Sequence, residues 1–474
     1  SKHEELAEYR FGFEKLFLRQ EHILDYKSES LLANFTQLRS IGRDLYSSLT
    51  VADIEHGDVF LDNGEIVTIT NSNYQAFIQK SSSANERKEI FESVFSYYET
   101  HKNTYASIYK TVLQSNVAMM KSRNYSSCLE SFLFNNQIPV EVYESLIHVA
   151  RSHTKSVKKY LELRKNFLGL DEIHTYDRFL QLVKTDREYP YEEAKRLFIE
   201  SLSSFPADFV EKAKEALRDG FVDVYEQEGK RTGAYSSTMP NMHPFILLNY
   251  SNTLGDIFTV AHEAGHSMHS LYTQENQPAN LQNYTIFVAE VASTFNEHHL
   301  LDYLITQSSL EKEEKIALLQ RAIDDILSKF YRQSLFAIYE LEAHRLAENN
   351  QPITADVLSG IMIQLYQEFY GIDIVKEEMK QYVWAYVPHL FNTPFYVYQY
   401  ATCYAASLKL YEEVKNNVPG AFDRYIGLLK SGGSDFPMNQ LAQAGIDLTK
   451  EEPFLAVCHK LDELVDQLAI VMKE

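Results

Sequence analysis

His262-Glu263-Ala264-Gly265-His266 is an H-E-x-x-H, and its surroundings read as helix: Ile257, Phe258, Val260 and Ala261 precede it, and Met268, Leu271 and Tyr272 follow. Positions i and i+4 share a helix face, so the two imidazoles close on one metal ion. Glu263 then stands one residue along, beside whatever the metal holds. This is the geometry of a zinc peptidase, with two nitrogen ligands and a carboxylate to take a proton from the attacking water. The competing reading is an exposed helix that happens to carry two histidines. The apolar flanks argue against it, because a buried helix must find partners for these polar groups and a metal ion supplies them. Asn249–Asn252 and Asn276-Gln277-Pro278 bound the helix, with Asn252 or Thr253 as its N-cap.

Catalytic zinc takes a third protein ligand and keeps one position open. The extended pattern H-E-x-x-H-x-x-G-x-x-H fails, since His269 stands where its glycine belongs and Tyr272 where its third histidine belongs. The third ligand must come from elsewhere. The segment Ile286–Glu297 offers Glu290, embedded in apolar residues. Glu290, Ser293 and Glu297 fall at i, i+3 and i+7, one polar stripe on an otherwise apolar helix. A stripe facing water is the alternative. Glu297 suits a place behind a ligand histidine, fixing its tautomer.

Several ordered segments carry a family resemblance. They are Gly229-Lys230-Arg231-Thr232-Gly233-Ala234-Tyr235, then Thr259–His269, Ala289–Glu297, Arg332-Gln333-Ser334-Leu335-Phe336-Ala337 and Pro388–Ala401. With them the chain resembles the M3 family of zinc oligopeptidases, on its oligoendopeptidase F side. The resemblance implies one zinc ion per chain on His262, His266 and Glu290. It implies a mainly α, bilobed, zincin-type fold with a small β-sheet near the active site and a substrate channel between lobes. The family also uses a histidine and tyrosines from the last segment to stabilise the oxyanion. That role carries over to His389 and, with the alignment free to slide, first to Tyr396; Tyr398 and Tyr400 are then substrate contacts. Simple packing competes for each tyrosine. Members usually have a further N-terminal helical region. This chain opens at Ser1-Lys2-His3-Glu4, inside what reads as an amphipathic helix, so that region is expected to be missing.

Composition agrees with a helix-dominated enzyme. Gly 17 and Pro 12 in 474 residues are both about half the usual shares of ~7% and ~5%, which leaves few turns and favours long helices. The formal net charge of −21 works against nucleic-acid binding and against adsorption to anionic membranes. No stretch approaches the ~20 apolar residues of a membrane span. The start shows no basic segment followed by an apolar run. Three widely spaced cysteines, Cys128, Cys403 and Cys458, read as reduced thiols, and a cytoplasmic location is expected.

Along the chain, residues 4–50 read as helix, with Leu24, Leu31, Leu32, Phe35, Leu38 and Ile41 as apolar faces. Asn63-Gly64 between β-prone runs predicts a hairpin near 57–70. Pro244–Tyr250 reads as a strand, whose edge would hold an extended peptide through its backbone. Gly233 would let backbone approach the substrate. Two parts are expected: a helical lobe over 1–190 and a catalytic region over 191–474. The function expected is zinc-dependent endopeptidase action on short oligopeptides, with Glu263 passing the water proton to the leaving amine. A zinc metallocarboxypeptidase of similar helical channel fold and a non-enzymatic peptide-binding protein are the rivals. Retention of Glu263 beside all three candidate ligands speaks against a mere binder.

Overall fold

Thr253 opens the helix that carries the H-E-x-x-H. Its hydroxyl accepts the Asp256 N–H, and the Asp256 carboxylate accepts the Thr253 N–H at 2.8 Å, a reciprocal cap. Asn252 turns the chain into the helix from a left-handed backbone, φ +62°, and is not the cap. This motif helix spans Leu254–Asn276. The computed structural model describes residues 4–184, 187–307, 310–377 and 379–473. Across them helix follows helix with short joints, as the shortage of glycine and proline predicts.

Ile286–Ile305 forms a second helix, the glutamate helix, which is apolar nearly all round and buried accordingly. It lies between the motif helix and a third, Tyr398–Lys415, the tyrosine helix. Side chains tie the last pair: Ser407 Oγ donates to the Val291 carbonyl at 2.9 Å, and Cys403 Sγ to that of Phe287 at 2.8 Å. Cys403 is thus a core residue. Among the described helices none is long and apolar enough to cross a membrane.

Among the described residues two small sheets interrupt the helices. β1 (Asp58–Phe60) and β2 (Ile66–Thr68) form the antiparallel hairpin read from Asn63-Gly64, with Val59 opposite Val67. The second sheet corrects an expectation. Its strands are β3 (Val222–Asp223), β4 (Tyr235–Ser237) and β5 (Phe245–Leu247), in the order β3-β5-β4. β5 is therefore central, paired on both sides, and has no free edge for a peptide. The edge next to the motif helix belongs to β4, the strand that follows the Gly229–Gly233 loop. The N-terminal segment also departs from its reading. It is broken into shorter helices, and Leu31, Phe35, Leu38 and Ile41 face outward; Tyr46 anchors it, buried, with its hydroxyl on the Ala385 carbonyl at 3.0 Å.

Candidate active site

Gly265 sets the distance between the motif and glutamate helices. A Cβ there would lie 2.6 Å from Ser293 Cα and 2.7 Å from the Ala292 carbonyl oxygen. Only glycine lets the two backbones touch. At that separation three side chains converge. The Nε2 atoms of His262 and His266 are 3.2 Å apart, and Glu290 Oε2 lies 3.3 Å from one and 3.4 Å from the other. Nitrogen and oxygen ligands at about 2.0–2.2 Å around a tetrahedral zinc ion stand about 3.3–3.6 Å from each other. The three measured edges therefore fit one face of such a tetrahedron, and its fourth vertex is left for water or substrate. Among the described residues this is the one group of three such side chains with converging ligand atoms.

Gly265→Ala is expected to force the helices apart, since the obstructing atoms are backbone and cannot swing away. Overpacking of this kind costs about 1–3 kcal/mol. The thermal midpoint should fall, and zinc affinity should fall at least about tenfold as the ligand triangle opens. Zinc titration of the two proteins checks this; equal affinities would mean that the site tolerates the wider spacing.

Behind the triangle, His262 Nδ1 meets Glu297 Oε1 at 2.5 Å. Donation of Nδ1–H to that carboxylate leaves the Nε2 lone pair for a metal. Lys329 Nζ grips Glu297 at 3.0 and 3.2 Å and Asp325 at 2.7 Å. Burial opposes charge on His262, but Glu297 and Glu290 outweigh it and raise the imidazole to about 10. Burial likewise pushes Glu290 and Glu297 up. The histidines offset it at Glu290, and Lys329 with His262 at Glu297, so both carboxyls sit well below their ordinary range. Ser293 Oγ donates to Glu290 Oε2 at 2.9 Å.

Glu263 is 5% exposed, and its Oε2 has no hydrogen-bond partner. Burial raises its pKa, the two histidines and the Ser236 backbone N–H acting against the rise. Ser236 belongs to β4, which is fastened to the motif helix where the hydroxyls of Ser236 and Ser267 meet at 2.9 Å. The edge strand, the candidate base and the ligand triangle are thus neighbours. Gly233, with φ +85° and open space around its Cβ position, turns the chain into β4.

His389 and Tyr396 lie with rings nearly parallel, 5.7 Å apart, and Tyr400 closes the group 5.5 Å from Tyr396. Burial raises both phenols, and the charge of Glu290 acts on each. Burial lowers the His389 pKa and so favours its neutral ring. Tyr398 does not join them. It is 3% exposed and packs on Tyr143 and Phe287 at 5.0 and 6.3 Å. Tyr396 lies in the loop just before the tyrosine helix and meets Tyr400 on its first turn, whereas Tyr398, the first residue of that helix, is turned into the core. The substrate contact expected of Tyr398 is therefore corrected to a core role. His269 is also core: stacked on Tyr284 at 3.7 Å, it is pushed by burial down to about 3 and stays neutral.

Lys329, Asp325 and Glu340 escaped the sequence reading. Asp325 and Lys329 carry a weak signal, an i, i+4 ion pair. Glu340 carries none: its buried carboxyl accepts the Phe395 N–H at 2.7 Å. Phe395 is held at φ +53°, a left-handed backbone that aromatic residues rarely adopt. This contact fixes the loop between His389 and Tyr396.

Known proteins resemble this chain over nearly its whole length. The profile described as "Peptidase family M3" matches residues 77–459. A second, described as "Oligopeptidase F", matches residues 1–56, so the opening helices correspond to part of the N-terminal region expected to be missing. The chain is 35% identical over 98% of its length to Oligopeptidase PepF of Bacillus subtilis, of which it covers 69%. It is 34% identical over 98% of its length to Group B oligopeptidase PepB of Streptococcus agalactiae, of which it covers 77%. The crystal structure of oligoendopeptidase-F from Enterococcus faecium is similar over 100% of this chain and 79% of that one, with TM-score 0.83 and 27% identity.

Proposed function

The chain belongs to peptidase family M3 and is a zinc oligopeptidase; we propose that His262, His266 and Glu290 hold one zinc ion, with Glu263 as general base and His389 and Tyr396 as oxyanion donors. The observation that carries the proposal is the ligand triangle, with edges of 3.2, 3.3 and 3.4 Å. When bound, zinc supplies a Lewis acid for the scissile carbonyl and acidifies water enough to lose a proton near neutral pH. Glu263 takes that proton at Oε2, the oxygen without a partner, and returns it to the leaving amine. Neutral His389 and the Tyr396 hydroxyl donate to the carbonyl oxygen as it becomes negative. The β4 edge binds the peptide through its backbone, with Gly233 and Tyr400 beside it, so side-chain preference stays loose. The proposal includes a helical lobe over 1–190 and a catalytic region over 191–474, with the channel between them. A cavity of about 1200 Å³ lined from both parts, by Gln75 and Arg178 on one side and Asn252 and Arg332 on the other, supports that division.

A capped oligopeptide and a native globular protein, followed by mass spectrometry, test the reading. Internal cleavage of the capped peptide at several bonds is expected, with the globular protein left intact, because threading a folded loop into a cleft requires local unfolding. Removal of C-terminal residues alone would favour a carboxypeptidase. Tyr396→Phe deletes one hydroxyl and little volume. It is expected to lower kcat by the equivalent of about 2–4 kcal/mol with little change in KM, if the hydroxyl meets charge that develops only in the transition state. A pure KM effect would make Tyr396 a packing surface for substrate.

A further inference from the structure

The 1200 Å³ cavity is not walled by His262, His266 or Glu290. It begins at the start of the motif helix, where Ser251–Gly255 line it, passes behind the Glu297 network at Arg321 and Asp325, and reaches Tyr386, three residues before His389. Among the described residues its walls carry four arginines. Arg187 is paired with Glu314 at 2.7 Å and Glu193 at 3.1 Å, and Arg321 approaches Glu297 at 4.0 Å. Arg332 and Arg178 have no carboxylate partner among the described residues. Arg332 lies over the Phe336 ring at 5.1 Å with Nη1 buried and unbonded, and Arg178 lies over Phe179 at 4.5 Å. Among the described residues the acidic groups of the wall are Glu188, Asp324 and Asp325. Asp324 accepts from Tyr160 at 2.7 Å and from Gln320 at 3.2 Å, Asp325 is held by Lys329, and Glu188 is exposed. Among the described residues the cavity therefore presents two guanidinium groups without a carboxylate partner, in a chain whose net charge is −21. A partly buried guanidinium without a counter-ion is costly unless a ligand supplies one.

We infer that this cavity receives the free C-terminal carboxylate of the peptide substrate, with Arg332 as the group that binds it and Arg178 beside it. The inference rests on the endopeptidase reading. It gives the enzyme a way to read the end of a peptide instead of its side chains. The guanidinium fork matches a carboxylate in two parallel hydrogen bonds. The spacing is suitable. Thr253 lies nine residues before His262 on the same helix, about 14 Å at 1.5 Å per residue. An extended peptide advances about 3.3 Å per residue, so about four residues beyond the cut bond carry the terminus into the cavity.

The test is a binding titration of the zinc-loaded Glu263→Gln protein with one acetylated nonapeptide in three forms: free acid, C-terminal amide, and amide ending in Asp. The free acid should bind about tenfold more tightly than the amide, the usual scale for a hydrogen-bonded charge. Adding Arg332→Met should shrink that ratio below about twofold while leaving amide affinity unchanged. Arg178→Gln should shrink it less, and Arg332→Lys should keep part of it; zinc content and circular dichroism verify the fold of each. Equal affinity for acid and amide would overturn the anion site, as would a ratio that survives Arg332→Met. An Asp-ending amide as tight as the free acid would overturn the assignment to the chain terminus in favour of an acidic side chain. If the unaltered chain cuts none of the peptides, the endopeptidase reading fails by itself, and the binding ratio still decides the anion site.

Discussion

Replacing Glu263 by Gln is expected to lower turnover about 10²–10⁴-fold, the range for a lost general base, while zinc content and peptide affinity stay near those of the unaltered chain. Glutamine keeps the shape and can still accept the Ser236 N–H that meets Glu263, so β4 and the motif helix should hold their positions. What it lacks is an oxygen able to take a proton. Glu263 is suited to that task because its Oε2 is buried and unbonded, and burial raises its proton affinity. A carboxylate already saturated with hydrogen bonds would be a poorer base. The loss should therefore fall on kcat with KM nearly constant, the pattern of an interaction needed only in the transition state. Hydrolysis near the normal rate in Glu263→Gln would sink the mechanism, and a protein that lost its zinc would move Glu263 from base to ligand.

Much of this site was legible because it is written at helical spacing. His262 and His266 are one turn apart, and Glu290 sits on a polar stripe in an apolar run. In the structure that stripe faces inward: Ser293 and Glu297 are buried and bond to Glu290 and His262. Periodicity could not sort the tyrosines in the same way, because Tyr396 lies in the loop before the helix that Tyr398 opens. The path of that loop depends on contacts distant in sequence, such as the Phe395 N–H bond to Glu340, 55 residues away. Strand order was equally out of reach. Val222-Asp223 and Tyr235–Ser237 are too short to announce themselves, and which of them flanks β5 depends on pairings across the chain. Gly265 was visible as a letter of the motif but not as a contact. Its meaning depends on the Ala292–Ser293 backbone of another helix.

Glu290→Ala is expected to strip the site of zinc at concentrations that saturate the unaltered chain, and to abolish peptide hydrolysis with it. The substitution removes one corner of the triangle and its only formal negative charge, leaving two neutral nitrogens for a doubly charged ion. Glu297 cannot take its place. Its carboxylate is committed to His262 Nδ1 at 2.5 Å and to Lys329 at 3.0 and 3.2 Å, on the far side of the His262 ring from Nε2. Glu297→Ala should behave differently. It leaves all three ligand atoms but frees the His262 ring to turn or change tautomer, a loss that typically weakens metal binding 10–100-fold. It also leaves Lys329 with Asp325 alone, so the Glu297 variant should lose more thermal stability as apoprotein than the Glu290 variant. Zinc titration and thermal melts of both variants, each metal-free and metal-loaded, separate the roles. Tight zinc retained by Glu290→Ala and lost by Glu297→Ala would exchange them, making Glu297 the ligand and Glu290 the residue that orients it.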